Sequence, residues 1–100
     1  MAMESVRFHR LAAEEYRSAR DWYRQRDISV AGRFCAAVDS AVDRIIEDAD
    51  SHPVLIDEIR WVRVRKFPYI LVFVSDRSDS LLVIALAHAK RRPGYWKRRR

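Results

Sequence analysis

The sequence predicts an α+β fold with the order β-α-α-β-β-β, in which a helical hairpin packs on a mostly antiparallel four-stranded sheet and a basic C-terminal tail follows. Three observations support this. Apolar residues recur every three or four positions in the first half, they alternate or form short runs in the second half, and lysine and arginine dominate the end. We expect a single domain over residues 1–100, with the tail from about residue 89.

The N-terminal half begins with a short strand, Ser5 to Phe8, in which Val6 and Phe8 share one face. A helix from about Arg10 to Arg26 follows. Its apolar stripe consists of Ala12, Tyr16, Ala19 and Tyr23, with Leu11 and Trp22 beside it.

A second helix follows directly, because Asp27 and Ser29 offer side-chain oxygens that can cap its N-terminus. It should end near Asp50, since Pro53 disfavours helical geometry at the residue before it. Its apolar stripe consists of Ala31, Phe34, Val38, Ala41 or Val42, Ile45 and Ala49. Two helices with so short a connection lie side by side as a hairpin.

Three strands are predicted after Pro53. IRWVRVRKF alternates, so that Val62 and Val64 point to one face and Trp61, Arg63 and Arg65 to the other. YILVFV and LLVIALAH are the next two strands, and the polar SDRSDS between them is a turn. Both runs are apolar on both faces, but one helical hairpin covers only one face. We expect the tail, a second copy or a partner chain to cover part of the other.

The charge is divided between the two halves of the chain. Residues 1–59 carry a net charge of −4 and residues 60–100 a net charge of +10, which together give the overall +6. A field of this kind favours a polyanionic partner, with nucleic acid first and an acidic protein segment second.

Several classes of protein are excluded or disfavoured. No apolar run approaches the ~20 residues that span a bilayer, and the N-terminus lacks the apolar core of a signal peptide, so we expect a cytoplasmic protein. Cys35 is the single cysteine and falls in an apolar helical pattern. Neither metal-ligand spacing nor a glycine-rich phosphate loop is present, and we predict no metal and no cofactor.

Motifs over nearly the whole chain resemble the RelE/ParE superfamily of bacterial toxins from type II toxin–antitoxin pairs, often labelled plasmid stabilisation proteins. They are A-x-x-E-Y-x-x-A-x-x-W-Y from Ala12 to Tyr23, G-R-F from Gly32 to Phe34, the arginines of Arg60 to Arg65 leading into FPY at Phe67 to Tyr69, and the ending AHAKRRPGYW. The resemblance implies a cognate antitoxin that lies across the toxin in a hetero-oligomer. It also implies a cellular target, which is the ribosome with its mRNA for RelE-like members and DNA gyrase for ParE-like members.

Our main prediction is ribosome-dependent mRNA cleavage, for which the C-terminal residues supply suitable chemistry. Histidine ordinarily has a pKa of about 6.5, so His88 is a residue type that suits proton transfer, and Arg91 and Arg92 can clamp a phosphate. Tyr95 or Trp96 can stack on a base. The predicted catalytic residues are His88, Arg91, Arg92 and Tyr95, and the predicted nucleic-acid-binding residues are Arg63, Arg65, Lys66, Lys90, Trp96 and Lys97.

Two alternatives stay open. The strand half offers no acidic general base, because Asp76 and Asp79 lie in a turn distant from His88. His88 can equally end a strand and bond a backbone carbonyl, and the tail aromatics can equally be packing residues. A non-enzymatic DNA gyrase inhibitor is therefore the first alternative, and an inert nucleic-acid-binding relative is the second.

Overall fold

The computed structural model describes residues 5–76 and 80–100. Its elements in chain order are β1 (Ser5–Phe8), α1 (Arg10–Arg26), α2 (Ile28–Glu47), a short 3-10 helix (Ala49–Ser51), β2 (Val54–Ile56), β3 (Ile59–Val64), β4 (Tyr69–Asp76) and β5 (Ser80–His88). The α+β class and the helical hairpin are as the sequence predicts. None of the helices in the described residues combines the length and apolarity needed to cross a bilayer.

The described strands form one five-stranded sheet in the order β1-β5-β4-β3-β2. β1 runs parallel to β5, and the other neighbouring pairs are antiparallel. The prediction of four strands was wrong because β2 was missed. This strand is three residues long and exposed throughout, so it carries no alternating pattern from which it could be recognised. Of the predicted SDRSDS turn, Ser75 and Asp76 belong to β4 and Ser80 to β5, and the other residues, 77–79, lie outside the described residues.

Side-chain caps fix the helix starts. Asp27 Oδ1 accepts hydrogen bonds from Ser29 N at 2.9 Å and from Ser29 Oγ at 2.7 Å, as the sequence predicts for α2. At the start of α1, His9 Nδ1 accepts from Leu11 N at 3.1 Å. α2 ends at Glu47, somewhat before the predicted Asp50, and the 3-10 helix continues the chain towards Pro53.

The helices cover one face of the sheet with a core rich in aromatic rings. The fully buried Phe34 of α2 is at its centre. Its ring centroid lies 5.1 Å from that of Tyr23, 5.3 Å from that of Phe67 and 5.5 Å from that of Tyr69. These edge-to-face and tilted contacts hold the hairpin on β4 and on the turn that precedes it.

A bulge in β5 shifts the alternation of its side chains between the two sheet faces, both of which are covered. Val72 pairs with Ala85 and Phe73 with Val83, so Ile84 is an extra residue that opposes no single partner. Ile84, Ala85 and Ala87 consequently belong to the core on the second sheet face. The shift in register leaves His88 opposite Tyr69, on the helix side at the end of the strand.

The C-terminal segment, residues 89–100, folds back over the second sheet face. Trp96 is only 4% exposed and packs with Ile59, Val72 and Ile84, while Tyr95 lies partly buried beside it. The sequence left open whether the tail, a second copy or a partner chain covers part of this face. In the structure, the chain's own tail covers it. The apolar side chains of β2, at the far edge of the sheet, remain exposed.

Candidate functional site at the C-terminal segment

The site lies along the edge of β5 that β1 leaves unpaired. β1 pairs with residues 80–83 of β5 and then gives way to α1, so the backbone from Ile84 onwards has no neighbouring strand on that side. Two side chains take its place. Glu15 Oε1 accepts from Leu86 N at 3.1 Å, and Arg99 Nη1 donates to the carbonyl oxygen of Ile84 at 3.1 Å. The strand edge is therefore capped by α1 and by the C-terminal segment.

The carboxylate of Glu15 joins the C-terminal segment to α1. It accepts hydrogen bonds from Tyr95 Oη at 2.7 Å, Arg99 Nη1 at 2.9 Å and Arg91 Nη1 at 3.3 Å. The Glu15 side chain is 14% exposed and that of Arg99 is 13% exposed, so this pair is shielded from water far better than a surface ion pair. We call Glu15, Arg91, Tyr95 and Arg99 the Glu15 cluster.

Tyr95 is held as a neutral hydrogen-bond donor. Its ring lies beneath the Arg91 guanidinium, whose central carbon is 3.9 Å from the ring centroid. Burial, then the hydrogen bond to Glu15 and the negative charge of that carboxylate, raise the pKa of Tyr95 above its ordinary value. The phenol therefore keeps its proton at neutral pH and donates a hydrogen bond to Glu15.

One ring nitrogen of His88, Nδ1, is engaged in a hydrogen bond. Its Nδ1 accepts from Lys90 N at 3.0 Å, which places the proton of the neutral ring on Nε2. The ring meets Tyr69 edge to face, with centroids 5.0 Å apart. His88 thus ends β5 by bonding backbone, although to an amide rather than to the carbonyl that the sequence suggested.

Two grooves meet at His88 and Arg91, which line both. The first, the helix groove, has a volume of about 710 Å³ between α1 and the ends of β4 and β5, and its wall includes Leu11, Glu15 and Trp22. The second, the tail groove, has a volume of about 390 Å³ on the second sheet face. It is lined by Leu55, Ile56, Ile70, Ala87, His88, Ala89, Arg91, Arg92, Pro93, Gly94, Tyr95, Trp96 and Lys97.

The predicted site residues are only partly brought together. His88, Arg91, Arg92, Tyr95, Trp96 and Lys97 all border the tail groove. Trp96 does so as a buried wall, a placement that differs from the open ring face that base stacking needs. Lys90 is exposed on the turn after β5.

The cations of β3 lie apart from this groove. Arg63 lines a shallow depression with Trp61 and Tyr69, whereas Arg65 and Lys66 face Arg33 of α2. Burial, and then the positive charge of Arg65, lower the pKa of Arg44 on the same side of the molecule. The cations therefore divide among three surfaces and form no single phosphate-binding cluster.

The sequence did not single out Glu15, on which the site is built. Its donors lie 71 to 84 residues further along the chain. A signal was nevertheless present, because Glu15 stands four positions after Leu11 and next to Tyr16, on the apolar side of an amphipathic helix where a carboxylate needs a partner.

Comparison with known proteins identifies the family. A family model described as "ParE toxin of type II toxin-antitoxin system, parDE" matches residues 6–93, which is most of the chain. The chain belongs to the ParE toxin family. The resemblance to the RelE/ParE superfamily is thereby confirmed. The matched span contains Glu15, His88, Arg91 and Arg92, and it ends before Tyr95.

A solved structure shares the fold of this ParE family member. It is described as "Chromosomal ParDE TA system from P. aeruginosa", and the superposition has a TM-score of 0.74. The aligned region covers 88% of this chain and 98% of that one, with 15% sequence identity, a level at which the likeness concerns the fold alone. No curated protein sequence matches the chain.

Proposed function

We propose that the chain is a toxin that arrests growth by binding and inhibiting DNA gyrase, without chemistry of its own. A cognate antitoxin neutralises it in a toxin–antitoxin hetero-oligomer in the cytoplasm. Membership of the ParE family supports this proposal over mRNA cleavage, the main prediction from the sequence. The observation that carries it is the mutual engagement of the groups expected to catalyse RNA cleavage.

Cleavage through a 2′-hydroxyl needs a base, an acid and free cations at one phosphate. Tyr95 Oη donates a hydrogen bond to Glu15, and the Arg91 guanidinium contacts both that carboxylate and the tyrosine ring. His88 uses Nδ1 to hold the turn at Lys90. These contacts suit a rigid binding surface. Of the two arginines in the expected catalytic set, Arg92 is exposed, and its side chain has no bonding partner within the described residues.

We assign the gyrase contact to the tip of the helical hairpin. Trp22 is 51% exposed there and Ile28 is 74% exposed. The Arg26 guanidinium stacks on the Trp22 ring at 3.6 Å from its centroid. Exposed tryptophan and arginine are the residue types that dominate binding energy at protein interfaces. A rigid aromatic–cation pair on a helix end loses little conformational entropy on docking.

Two assays on one preparation test the proposal. Purified chain is titrated into DNA gyrase with relaxed plasmid, and in parallel into a translation extract with labelled mRNA. We expect supercoiling to fall while the mRNA stays intact. Trp22→Ala should weaken gyrase inhibition by about tenfold or more, since truncating an interface anchor removes roughly 2 kcal/mol or more. Arg17→Ala on an exposed part of α1 is the matched control. Intact supercoiling together with cleaved mRNA would refute the proposal.

A further inference from the structure

Three cations meet in a pocket between α2 and the turn that follows β3. Arg33 of α2 lines it together with Arg65 and Lys66 of the turn, around a floor that includes Ala37 and Phe67. Its volume is about 530 Å³, and no acidic side chain occurs among the described residues of its wall. We call it the basic pocket.

The charge of the basic pocket is not neutralised within the described part of the chain. All three of its cationic residues are exposed, and none of them has a hydrogen bond or an ion pair with a side chain in residues 5–76 or 80–100. Hydrogen bonds from Ser29 and, after them, the charge of Arg33 lower the pKa of Asp27, but this exposed carboxylate is engaged as the cap of α2. A field of this kind favours a polyanionic ligand.

The positive field extends along α2 to Arg44. Arg33 and Arg44 are about three helical turns apart, so they share one side of the helix. Arg44 Nη2 donates to the carbonyl oxygen of Arg63 at 2.6 Å, and its Nε is buried without a hydrogen-bond partner among the described residues. Burial and then the charge of Arg65 lower the pKa of Arg44, while Glu47 opposes the effect. An anion between these arginines would relieve their repulsion.

The backbone at Lys66 indicates that this lysine has a role beyond the turn. Phe67 N donates to the carbonyl oxygen of Val64 at 3.2 Å, so residues 64–67 form a tight turn with Lys66 in its third position. Lys66 has φ 70, in the left-handed region that glycine or asparagine usually occupies at this place. A lysine here strains the backbone, and strain of this kind is concentrated at functional sites.

From these observations we propose that the basic pocket binds the phosphate backbone of double-stranded DNA. The guanidinium groups of Arg33 and Arg65 can each hold a phosphate through two hydrogen bonds, and contacts of this type carry no base specificity. A duplex fits better than a single strand, because Phe67, the aromatic residue of the described lining, is packed into the core against Tyr23 and Phe34 and is not free to stack on a base.

The choice of DNA over double-stranded RNA rests on the proposed function, since gyrase acts on duplex DNA. Val30 lines the basic pocket and stands two residues after Ile28 of the hairpin tip. A tip in contact with gyrase therefore brings the pocket close to the DNA that gyrase holds. The basic pocket adds a DNA contact to the protein contact assigned above.

The test measures the affinity of the intact chain for a short labelled DNA duplex over a range of salt concentrations. Each phosphate engaged contributes about −0.9 to the slope of log K against log salt. Arg33→Gln with Arg65→Gln should weaken binding by about tenfold or more and make the slope shallower by about two units. Arg17→Gln with Arg98→Gln removes the same charge from exposed positions elsewhere and should bind nearly as wild type does.

Lys66→Gly separates a ligand-binding role from a structural one. Glycine fits the left-handed backbone, so the variant should unfold at the same or a higher urea concentration than wild type. It should nevertheless bind the duplex more weakly, with a slope shallower by about one unit. A less stable variant with unchanged DNA affinity would assign Lys66 to the fold and contradict the proposal.

Two further results would overturn the proposal. If both double variants bound the duplex equally, the binding would come from net charge alone. If a single-stranded or double-stranded RNA of the same length bound more tightly than the DNA, the pocket would serve another ligand.

Gyrase assays on the same variants keep this proposal apart from the proposed function. If wild type binds the duplex through the basic pocket but leaves supercoiling intact, the pocket is supported and the proposed function fails. If wild type inhibits gyrase while Arg33→Gln with Arg65→Gln keeps full affinity for the duplex, the proposed function is supported and the pocket assignment is wrong.

Discussion

Glu15 and Tyr95 are 80 residues apart in sequence and share a hydrogen bond of 2.7 Å. This bond ties the C-terminal segment to the first helix, beside the part of β5 that β1 leaves unpaired. Burial and then this contact raise the pKa of Tyr95, and the next residue, Trp96, packs on the second sheet face. A segment that looks like a basic tail in the sequence is thus a structural part of the domain.

Replacing Glu15 should loosen the C-terminal segment. Glu15→Ala removes the carboxylate that accepts hydrogen bonds from four donors and leaves a partly buried Arg99 without its partner. We expect a loss of about 2–4 kcal/mol in the free energy of unfolding, measured with urea, and faster trypsin cleavage after Lys90 and Arg91. Glu14→Ala is the control, because Glu14 is half exposed and within the described residues pairs only with Arg10, a contact worth no more than about 0.5 kcal/mol. Equal losses in the two variants would contradict this role of Glu15.

The Trp96→Ala variant should unfold more easily than wild type, because it lacks the side chain that covers the apolar core on the second sheet face. The side chain is almost completely buried against Val72 and Ile84, so truncation leaves a cavity over the sheet. We expect a cost of about 3–5 kcal/mol in urea unfolding. Trp22→Ala, at an exposed position, should cost less than about 1 kcal/mol. A stable Trp96→Ala protein would show that the C-terminal segment does not pack as described.

Gly94→Ala should destabilise the turn before Trp96. Gly94 has φ +85, a left-handed conformation that other residues adopt at a cost. An added Cβ would also lie 2.8 Å from Cε of Lys97, a flexible side chain that can move aside. We therefore expect a loss of about 1–2 kcal/mol from the backbone alone. Gly32→Ala, where a Cβ meets nothing within 4 Å in a helix, should instead be neutral or stabilising. Thermal unfolding of both variants decides the matter.

Stability should fall in alkaline solution because all four tyrosines have raised pKa values. Burial, with a hydrogen bond to Cys35, raises the pKa of Tyr16 to about 12. Burial also raises the pKa of Tyr23, Tyr69 and Tyr95. The unfolded chain loses these protons near the ordinary value of 10.0, while the folded chain keeps them. The stabilisation is complete below about pH 10 and is lost as the pH rises through the folded-state values.

Urea unfolding at about pH 9 and about pH 11 measures this loss directly. Tyr95→Phe should reduce the drop between the two pH values, because the phenylalanine has no proton to lose. An unchanged midpoint at the higher pH, or a tyrosinate absorbance that appears at the ordinary value, would show that the phenols are not shielded as described.

The sequence predicted the elements with local signals and missed those set by distant contacts. The stripes of α1 and α2 and the cap at Asp27 are periodic or adjacent features, and the structure contains them. β2 escaped because three exposed residues carry no pattern. The bulge at Ile84 was not predicted from the sequence, because it becomes visible only in the pairing of β4 with β5. The unbroken apolar run of β5 nevertheless indicated correctly that both sheet faces are covered.

In the candidate site, too, the sequence predicted what is local in the chain and missed what depends on distant contacts. The sequence placed His88, Arg91, Arg92 and Tyr95 in one region, since they are close in the chain, and the structure puts all four around the tail groove. It also grouped Arg63, Arg65 and Lys66 with them by charge, whereas the direction of the β3 side chains and the turn after β3 send these cations to other surfaces. The role of Glu15 as an acceptor depends on the packing of α1 against β5, which no local sequence pattern indicates.

A gyrase inhibitor of the kind we propose acts by contact and not by turnover. The most direct measurement is the molar ratio of toxin to gyrase at which supercoiling is half inhibited, taken at gyrase concentrations above the dissociation constant. We predict a roughly equimolar ratio that His88→Ala leaves unchanged, because a binding inhibitor must occupy each target molecule. Growth arrest with fully active gyrase, accompanied by mRNA fragments that accumulate far beyond the amount of toxin and vanish in His88→Ala, would contradict it.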